Sequence, residues 1–183
     1  EENIINKGRD GVIEALEYID KAIEYFVSET DYQISTKFDG SPAIVAGKDP
    51  NGKFFVASKS AFAKNPKINY TEEDINNNHS NSPGLAEKLK LALQYLPSLN
   101  LKGIYQMDYM FDNQIKHTET PETIDGIKNT NTFITFQPNT IKYAVAPESP
   151  YGREIQTSQI GVAIHIQYEV VGSILRVKKD RKS

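Results

Sequence analysis

The chain has 183 residues, of which 38% are apolar and 25% charged, and its formal net charge at pH 7 is −3. This length fits one domain, or one domain with an appendage, and the composition argues against a disordered or fibrous protein. There is no cysteine, which excludes disulfides and cysteine nucleophiles, and the three histidines leave little for a zinc site. No apolar run is long enough to cross a membrane, so we expect a cytoplasmic protein without a membrane partner.

The first predicted element is an amphipathic helix. Apolar residues recur at intervals of three and four from Asp10 to Phe26, and Asp10 can cap the start. The segment Tyr32–Asp39 then alternates between apolar and polar residues, which predicts a strand. Lys37 and Asp39 are two residues apart on this strand, so their side chains project from the same face.

A β-hairpin and two helices are predicted next. Ala43–Ala46 and Phe54–Lys59 flank Asp49-Pro50-Asn51-Gly52, which is a strong turn signal. Thr71 opens a capping-box pattern, and Ser82-Pro83 opens a second helix. The apolar face of that second helix consists of Leu85, Leu89, Leu93 and Leu96.

The rest of the chain predicts mainly strands. Gly103–Phe111 reads as a strand and is followed by a polar loop from Asp112 to Thr130. Further short strands are expected at Thr132–Phe136, Thr140–Val145, Ile160–Tyr168 and Val170–Val177, with Tyr151–Arg153 in a connection. Strands outnumber helices, and the helices fall in the first half. The prediction is an α+β fold with mostly antiparallel sheets and flanking helices.

The most informative tetrapeptide is Lys37-Phe38-Asp39-Gly40. A lysine amine is a nucleophile only when it is uncharged, and desolvation or nearby cations lower its pKa. A strand that leads into a glycine turn can hold such a lysine at the edge of a cleft. Asp39 could orient the amine, bind a sugar hydroxyl or hold a metal, and Gly40 allows a close approach of the backbone to a ligand. The alternative is an exposed lysine followed by an ordinary Asp-Gly turn.

The order of these elements resembles that of the covalent nucleotidyltransferases, which comprise ATP-dependent DNA and RNA ligases and mRNA capping enzymes. Lys37-Phe38-Asp39-Gly40 fits the first signature of that family position by position. Ser58-Lys59 resembles the next signature, with lysine where arginine is usual, and lysine lacks the bidentate hydrogen bonding of arginine. Asp108, within Gln106–Met110, resembles the carboxylate of the third signature. The likeness extends over Tyr32–Tyr168. Segments such as Phe38–Ala43 and Tyr105–Asp108 are similar to those of uncharacterised phage-type ligase-like proteins.

Two later signatures match less closely. Where the family has a Glu-Gly pair, this chain has Ile160-Gly161, so the glutamate is missing. The lysine-rich fifth signature resembles Lys178 or Lys179 in the basic tail, although such a tail is also typical of a solvated chain end. His165 is interpreted as a polar residue on a solvated or half-buried strand face.

The resemblance implies an ATP-grasp-like nucleotidyltransferase domain over residues 1–183, without a C-terminal OB-fold or similar module. In such a domain Lys37 attacks the α-phosphate of ATP and forms lysyl-AMP, with Mg²⁺ shielding the phosphates. Asp39 and Asp108 are the candidates for metal or ribose contacts. The other implied nucleotide contacts are Gly40, Lys59, Lys178 and Lys179, with Phe136 or Tyr143 as an aromatic partner for the purine.

The leading hypothesis is therefore an adenylyltransferase domain of a polynucleotide ligase that repairs RNA or DNA ends. Three alternatives stay open: a capping-type guanylyltransferase, a nucleotide- or nucleic-acid-binding module without catalysis, and a scaffold with a chance Lys-x-Asp-Gly. The net charge of −3 offers no basic stripe for duplex phosphates. We therefore expect nucleic acid to bind through a missing module.

Overall fold

The computed structural model of the protein describes residues 5–7, 12–15, 43–120, 122–124, 126–138, 142–171 and 174–177. These residues form an α+β fold with mostly antiparallel sheets, which confirms the predicted class. The strands are β1 (Ile5–Lys7), β2 (Val12–Ala15), β3 (Ala43–Lys48), β4 (Phe54–Ala57), β5 (Ile104–Asp112), β6 (His117–Glu119), β7 (Thr123–Ile124), β8 (Ile127–Lys128), β9 (Phe133–Phe136), β10 (Tyr143–Val145), β11 (Ile160–Val171) and β12 (Ile174–Val177). The helices are α1 (Glu72–Asn78), α2 (Pro83–Tyr95) and α3 (Pro150–Thr157), with 3₁₀ helices at Lys59–Phe62 and Leu96–Leu99.

A seven-stranded sheet organises the described residues. Its strand order is β1-β2-β11-β5-β3-β4, and β12 pairs with β11 beside this path. The pairing of β2 with β11 is parallel, whereas β5 is antiparallel to both of its neighbours, β3 and β11. The long strand β5 therefore occupies an interior position in which both of its edges are hydrogen-bonded.

The hairpin β3–β4 forms at the predicted turn. The Asp49 side chain accepts hydrogen bonds from the backbone N–H groups of Asn51 and Lys53, both at 2.9 Å. Gly52 has φ +82°, in the left-handed region that glycine adopts without strain. The turn closes because Asp49 accepts hydrogen bonds from two of its backbone N–H groups and glycine allows the positive φ that it needs.

The two central helices cover one face of the large sheet, here called the helix face. Thr71 and Asp74 form the predicted capping box of α1, and Pro83 stands at the start of α2 as predicted. Helix α2 buries Ala86, Leu89 and Ala92 against the sheet. The sheet residues in this core include Ile44, Ala46, Val56, Met107, Tyr109, Ile160 and Val162.

The opposite face of the sheet carries two separate apolar clusters. The first lies around β3, β4 and the start of β5, and contains Val45, Phe55, Ala57, Ala61 and Ile104. The second brings β5 and β11 together with the three-stranded sheet β10-β9-β6 and helix α3, and contains Met110, Phe111, Ile134, Phe136, Val145, Ile155 and Ala163. Between the two clusters the sheet face bears polar residues.

The predicted helix from Asp10 to Phe26 is wrong for Val12–Ala15, which form strand β2. These residues pair with β1 on one side and in parallel with β11 on the other. Two β-branched residues, Val12 and Ile13, favour the extended conformation, and pairing with an existing sheet overrides a helical spacing of apolar residues. The remaining part of the predicted helix lies outside the described residues.

Two predictions for the second half of the chain are also wrong. The predicted loop from Asp112 to Thr130 contains β6 and the β7–β8 hairpin, and the predicted connection at Tyr151–Arg153 lies within helix α3. Ser149 caps this helix, because its hydroxyl accepts the backbone N–H of Gly152 at 2.9 Å. A Cβ atom on Gly152 would collide with the carbonyl oxygen of Ala146, so close packing explains this glycine in a helix. The helices are therefore not confined to the first half.

Candidate functional site

Asp108 lies in the middle of β5, on the opposite face of the large sheet. It is directly across from Ala43 on β3 and from Ala163 on β11. Its side chain retains 33% exposure between the two apolar clusters. A carboxylate in such a position is accessible to a ligand while the strands on both sides hold its backbone.

Two β-bulges flank Asp108. The register between β5 and β11 shifts once between Gly161 and Val162, which leaves Met110 without a partner on β11. It shifts again between Ile164 and Ile166, so the backbone register with β5 skips His165. Bulges redirect side chains and are over-represented beside functional sites. Asp108 and Ala163 form a pair in the short segment between the two bulges.

His165, at the second bulge, contacts Asp108 across the two strands. Its Nε2 lies 2.7 Å from Oδ2 of Asp108, and the His165 side chain is 37% exposed. A strict period of two places His165 on one face with Gly161, Ala163 and Gln167, but the pattern of one strand does not show which residues of its neighbour lie opposite, so the pair was missed. In the structure the bulge breaks that period, and Gln167 lies opposite Tyr105, whose side chain packs toward the helix face. No sequence signal identifies the bulge.

Gln106, Asp108 and His165 form a polar gap between the two apolar clusters. Gln106 is two residues before Asp108 on the same face of β5. Its Oε1 accepts a hydrogen bond of 2.9 Å from the hydroxyl of Tyr168, and burial raises the pKa of that phenol. The polar gap therefore offers a carboxylate, an amide and an imidazole, which can bind hydroxyl groups, and the carboxylate can also bind a divalent cation.

Ser58 and Lys59 follow the hairpin strand β4, which ends at Ala57, two residues earlier than predicted. Ser58 is the cap of the first 3₁₀ helix, and its hydroxyl accepts the backbone N–H of Ser60 at 3.1 Å. Lys59 is the first residue of that helix and its side chain is exposed. Its ammonium group is therefore available to a phosphate near the end of β4, the strand that pairs with β3.

Several predicted site residues lie outside the described residues: Lys37, Asp39, Gly40, Lys178 and Lys179. The covalent chain still limits where Lys37 can be. Lys37 lies six positions before Ala43, and a chain of six residues spans at most about 20 Å. Since Ala43 pairs with Asp108, chain length allows the amine and the carboxylate to meet.

Phe136 does not fit the role of a purine partner. Its ring is only 1% exposed and packs against Phe111 at a centroid distance of 5.1 Å and against Tyr143 at 5.4 Å. Both contacts belong to the second apolar cluster, so the ring has no free face for a base. Sequence analysis could not separate a core aromatic from a stacking one, because both occur in apolar strands.

The described residues fit a magnesium ion only in part. Within the described ranges, no three His, Asp or Glu side chains gather closely enough to hold a metal ion. Ile160, at the place of the missing glutamate, is fully buried in the helix-face core. However, Mg²⁺ bound to nucleotide phosphates requires only one or two protein carboxylates, and Asp108 can supply one.

Comparison with known proteins gives one assignment. Among the helices of the described residues, none combines the length and apolar character needed to cross a bilayer. Neither the curated proteins nor the solved structures include a match to this chain. The model of a family of unknown function, DUF6267, matches residues 1–179, and the chain therefore belongs to that family.

Proposed function

We propose that the protein is the nucleotidyltransferase domain of an ATP-dependent polynucleotide ligase, which forms a covalent lysyl-AMP intermediate. The observation that carries this proposal is the pairing of Asp108 with Ala43. It brings the carboxylate of the third signature beside the strand that begins three residues after Lys37-Phe38-Asp39-Gly40. The adjacent strand β4 leads into Ser58-Lys59. The segments that resemble the second and third signatures thus lie directly after β4 and within β5, the two strands that flank β3.

The proposed step is an in-line displacement at phosphorus. The uncharged amine of Lys37 attacks the α-phosphorus of ATP and forms a P–N bond, while the P–O bond to pyrophosphate breaks. The amine releases its proton, and pyrophosphate leaves. Mg²⁺ bound with the nucleotide would reduce the negative charge on the phosphates.

The protein groups in this proposal bind and orient the reactants. Asp108 would hold the metal or the ribose, and His165 would fix the orientation of that carboxylate through their 2.7 Å contact. Lys59 would offset charge on the phosphates, since its exposed ammonium group is a mobile point charge. Asp39 would contact the metal or the ribose, and Gly40 would let the backbone approach the nucleotide closely. Lys178 or Lys179 would contact the α-phosphate.

The proposal predicts that the protein gains the mass of AMP when incubated with ATP and Mg²⁺. Intact-mass measurement should detect the adduct, and acid should release it because phosphoramidate bonds are acid-labile. Lys37→Ala should abolish the adduct. Lys48→Ala, which removes an exposed lysine at the end of β3, serves as the matched control and should keep it. An unchanged mass under conditions in which ATP is shown to bind contradicts the proposal.

A second candidate is a nucleotide- or nucleic-acid-binding module that does not catalyse transfer. The observation in its favour is the buried Ile160, which leaves no carboxylate at the place of the fourth signature. The same mass experiment separates the candidates. Reversible ATP binding without an adduct favours the binding module, whereas an adduct with GTP and none with ATP favours a capping-type guanylyltransferase.

A further inference from the structure

The first 3₁₀ helix, Lys59–Phe62, presents an aromatic ring to solvent. Phe62 is 42% exposed, although its neighbour Ala61 is buried in the first apolar cluster. Among the described residues, the large apolar side chains with this degree of exposure are Phe62, Ile127 and Val170. Phe62 is the aromatic member of that group. An exposed ring on a short, capped helix is a candidate platform for a planar ligand.

The platform is held in place on three sides. Ser58 caps the 3₁₀ helix, and Ala61 anchors it to the sheet. The Phe62 ring also contacts the ring of Tyr168, with centroids 5.0 Å apart and planes tilted by 48°. The Tyr168 hydroxyl is fixed in turn by its hydrogen bond to Gln106 in the polar gap. The Phe62 ring is therefore exposed to solvent while its neighbours fix its orientation.

Three lysines lie near this ring in the sequence. In a 3₁₀ helix, side chains three residues apart lie one above the other, so Lys59 lies over the same side as Phe62. Lys64 and Lys67 follow, and both are exposed. The segment 58–67 contains three lysines and no carboxylate, in a chain whose net charge is −3. Lys59, Phe62, Lys64 and Tyr168 are called the basic aromatic surface below.

We propose that the basic aromatic surface binds single-stranded nucleic acid, with a base stacked on Phe62 and phosphates beside Lys59 and Lys64. Nucleic acid carries planar rings and phosphates on one chain, so it satisfies both features of the surface. An acidic peptide would engage the lysines but leave the ring without a stacking partner. The bases of a continuous duplex are already stacked on one another, which favours a single strand or an unpaired end.

The location links this surface to the polar gap, because Tyr168 touches Phe62 and also hydrogen-bonds to Gln106. The inference deepens the proposed function, because it assigns a binding surface for the acceptor nucleic acid to this chain. It rests on the proposed function only where the bound nucleic acid is called the acceptor. The net charge of −3 and the family resemblance led to the prediction that nucleic acid binds through a missing module, whereas the proposed surface lies on this chain.

The test measures binding of a fluorescent single-stranded oligonucleotide of mixed sequence to the full chain, by anisotropy, without ATP or Mg²⁺. The parent should bind with an affinity that falls as salt rises. Phe62→Leu should weaken binding by about tenfold, since it removes the stacking ring, whereas Phe62→Tyr should retain it. Lys59→Gln should reduce the slope of log K against log salt by about 0.7.

Ile127→Ala is the matched control, because it removes an exposed apolar side chain in the separate β7–β8 hairpin and should leave binding unchanged. Equal binding by Phe62→Leu and the parent overturns the proposal. So does competition by polyglutamate that is as effective as unlabelled oligonucleotide, which would indicate an acidic protein partner. Because ATP is absent, a failure here is distinct from a failure of Lys37 to accept AMP.

Discussion

Asp108 shows how a single residue can be buried in its backbone and accessible in its side chain. Strands β3 and β11 pair with β5 on both sides of it, and the two bulges lie close to it. The Nε2 atom of His165 lies 2.7 Å from its carboxylate. The carboxylate is therefore positioned before any ligand arrives, which lowers the entropic cost of binding one.

At this residue, we predict that Asp108→Asn folds normally but binds ATP with Mg²⁺ about tenfold or more weakly. The substitution keeps the side-chain volume and removes the charge, and hydrogen bonds to charged groups contribute roughly 1.5–3 kcal/mol. Calorimetric titration of both proteins measures the change. Glu87→Gln, on the exposed side of α2, is the control for loss of one negative charge. If Asp108→Asn and the parent have the same affinity, the residue has only a structural role.

At the scale of elements, strands β5 and β11 depend on a glycine. Gly161 lies opposite Phe111, and a Cβ atom at this position would collide with the Phe111 ring. The ring in turn packs on Phe136, which joins the large sheet to the three-stranded sheet. The absence of a side chain at Gly161 thus allows the second apolar cluster to form.

We therefore predict that Gly161→Ala destabilises the protein by about 1–3 kcal/mol, the usual cost of overpacking a core. Urea unfolding followed by circular dichroism measures the difference in unfolding free energy. Gly84→Ala is the matched control, because a Cβ at Gly84 meets nothing within 4 Å and alanine favours the helix. Adding Phe111→Leu should recover part of the loss in Gly161→Ala. Equal stability of Gly161→Ala and the parent contradicts this account of the packing.

At the scale of the whole molecule, burial and hydrogen bonds shift the pKa values of several ionisable groups. Burial, and secondarily the charge of Lys67, lowers the pKa of His79, whose Nε2 lies 3.2 Å from the side-chain amide nitrogen of Asn69. That amide also donates to the Val56 carbonyl, so its NH₂ group faces a neutral imidazole. Protonation of His79 would set two donors against each other in a buried site.

Two carboxylates act in the same direction. The backbone N–H of Lys53 and the hydroxyl of Tyr70 hold the pKa of Asp49 below its usual value, and the backbone N–H of Tyr70 does the same for Asp74. In return, burial and the bond to Asp49 raise the pKa of Tyr70 to about 12. These interactions stabilise the native state only while the carboxylates are ionised.

These shifts predict that acid destabilises the protein in two stages. A histidine with a lowered native pKa stabilises the fold above its unfolded value of about 6.5 and loses that effect as pH falls below it. The carboxylates lose theirs below about pH 4. The melting temperature should therefore fall as the pH drops below about 6.5, and His79→Gln should flatten this first stage. His117→Gln, at an exposed position, should not, and a flat first stage in the parent contradicts the assignment to His79.

The sequence by itself predicted elements whose signals are local. The β3–β4 turn, the capping box at Thr71 and the Pro83 helix start each depend on residues within a few positions of one another. Their backbone groups are satisfied by neighbouring side chains, so the pattern is readable without the fold. Strand β5 is also local in its signal, since apolar and polar residues alternate from Tyr105 to Tyr109.

The tertiary structure decided the features that depend on distant partners. Val12–Ala15 form a strand because β1 and β11 pair with them, despite a helical spacing of apolar residues. The buried state of Phe136 follows from its contacts with Phe111 and Tyr143, and the contact of His165 with Asp108 follows from the register of β11 on β5. The bulge after Ile164 places Gln167 opposite Tyr105. A bulge shifts the register by one residue, so every later side chain of the strand points to the other face. No local sequence rule specifies where a bulge falls. The strand position of Asp108 was therefore predictable from the sequence, whereas its partner His165, 57 residues away along the chain, required the register of two strands.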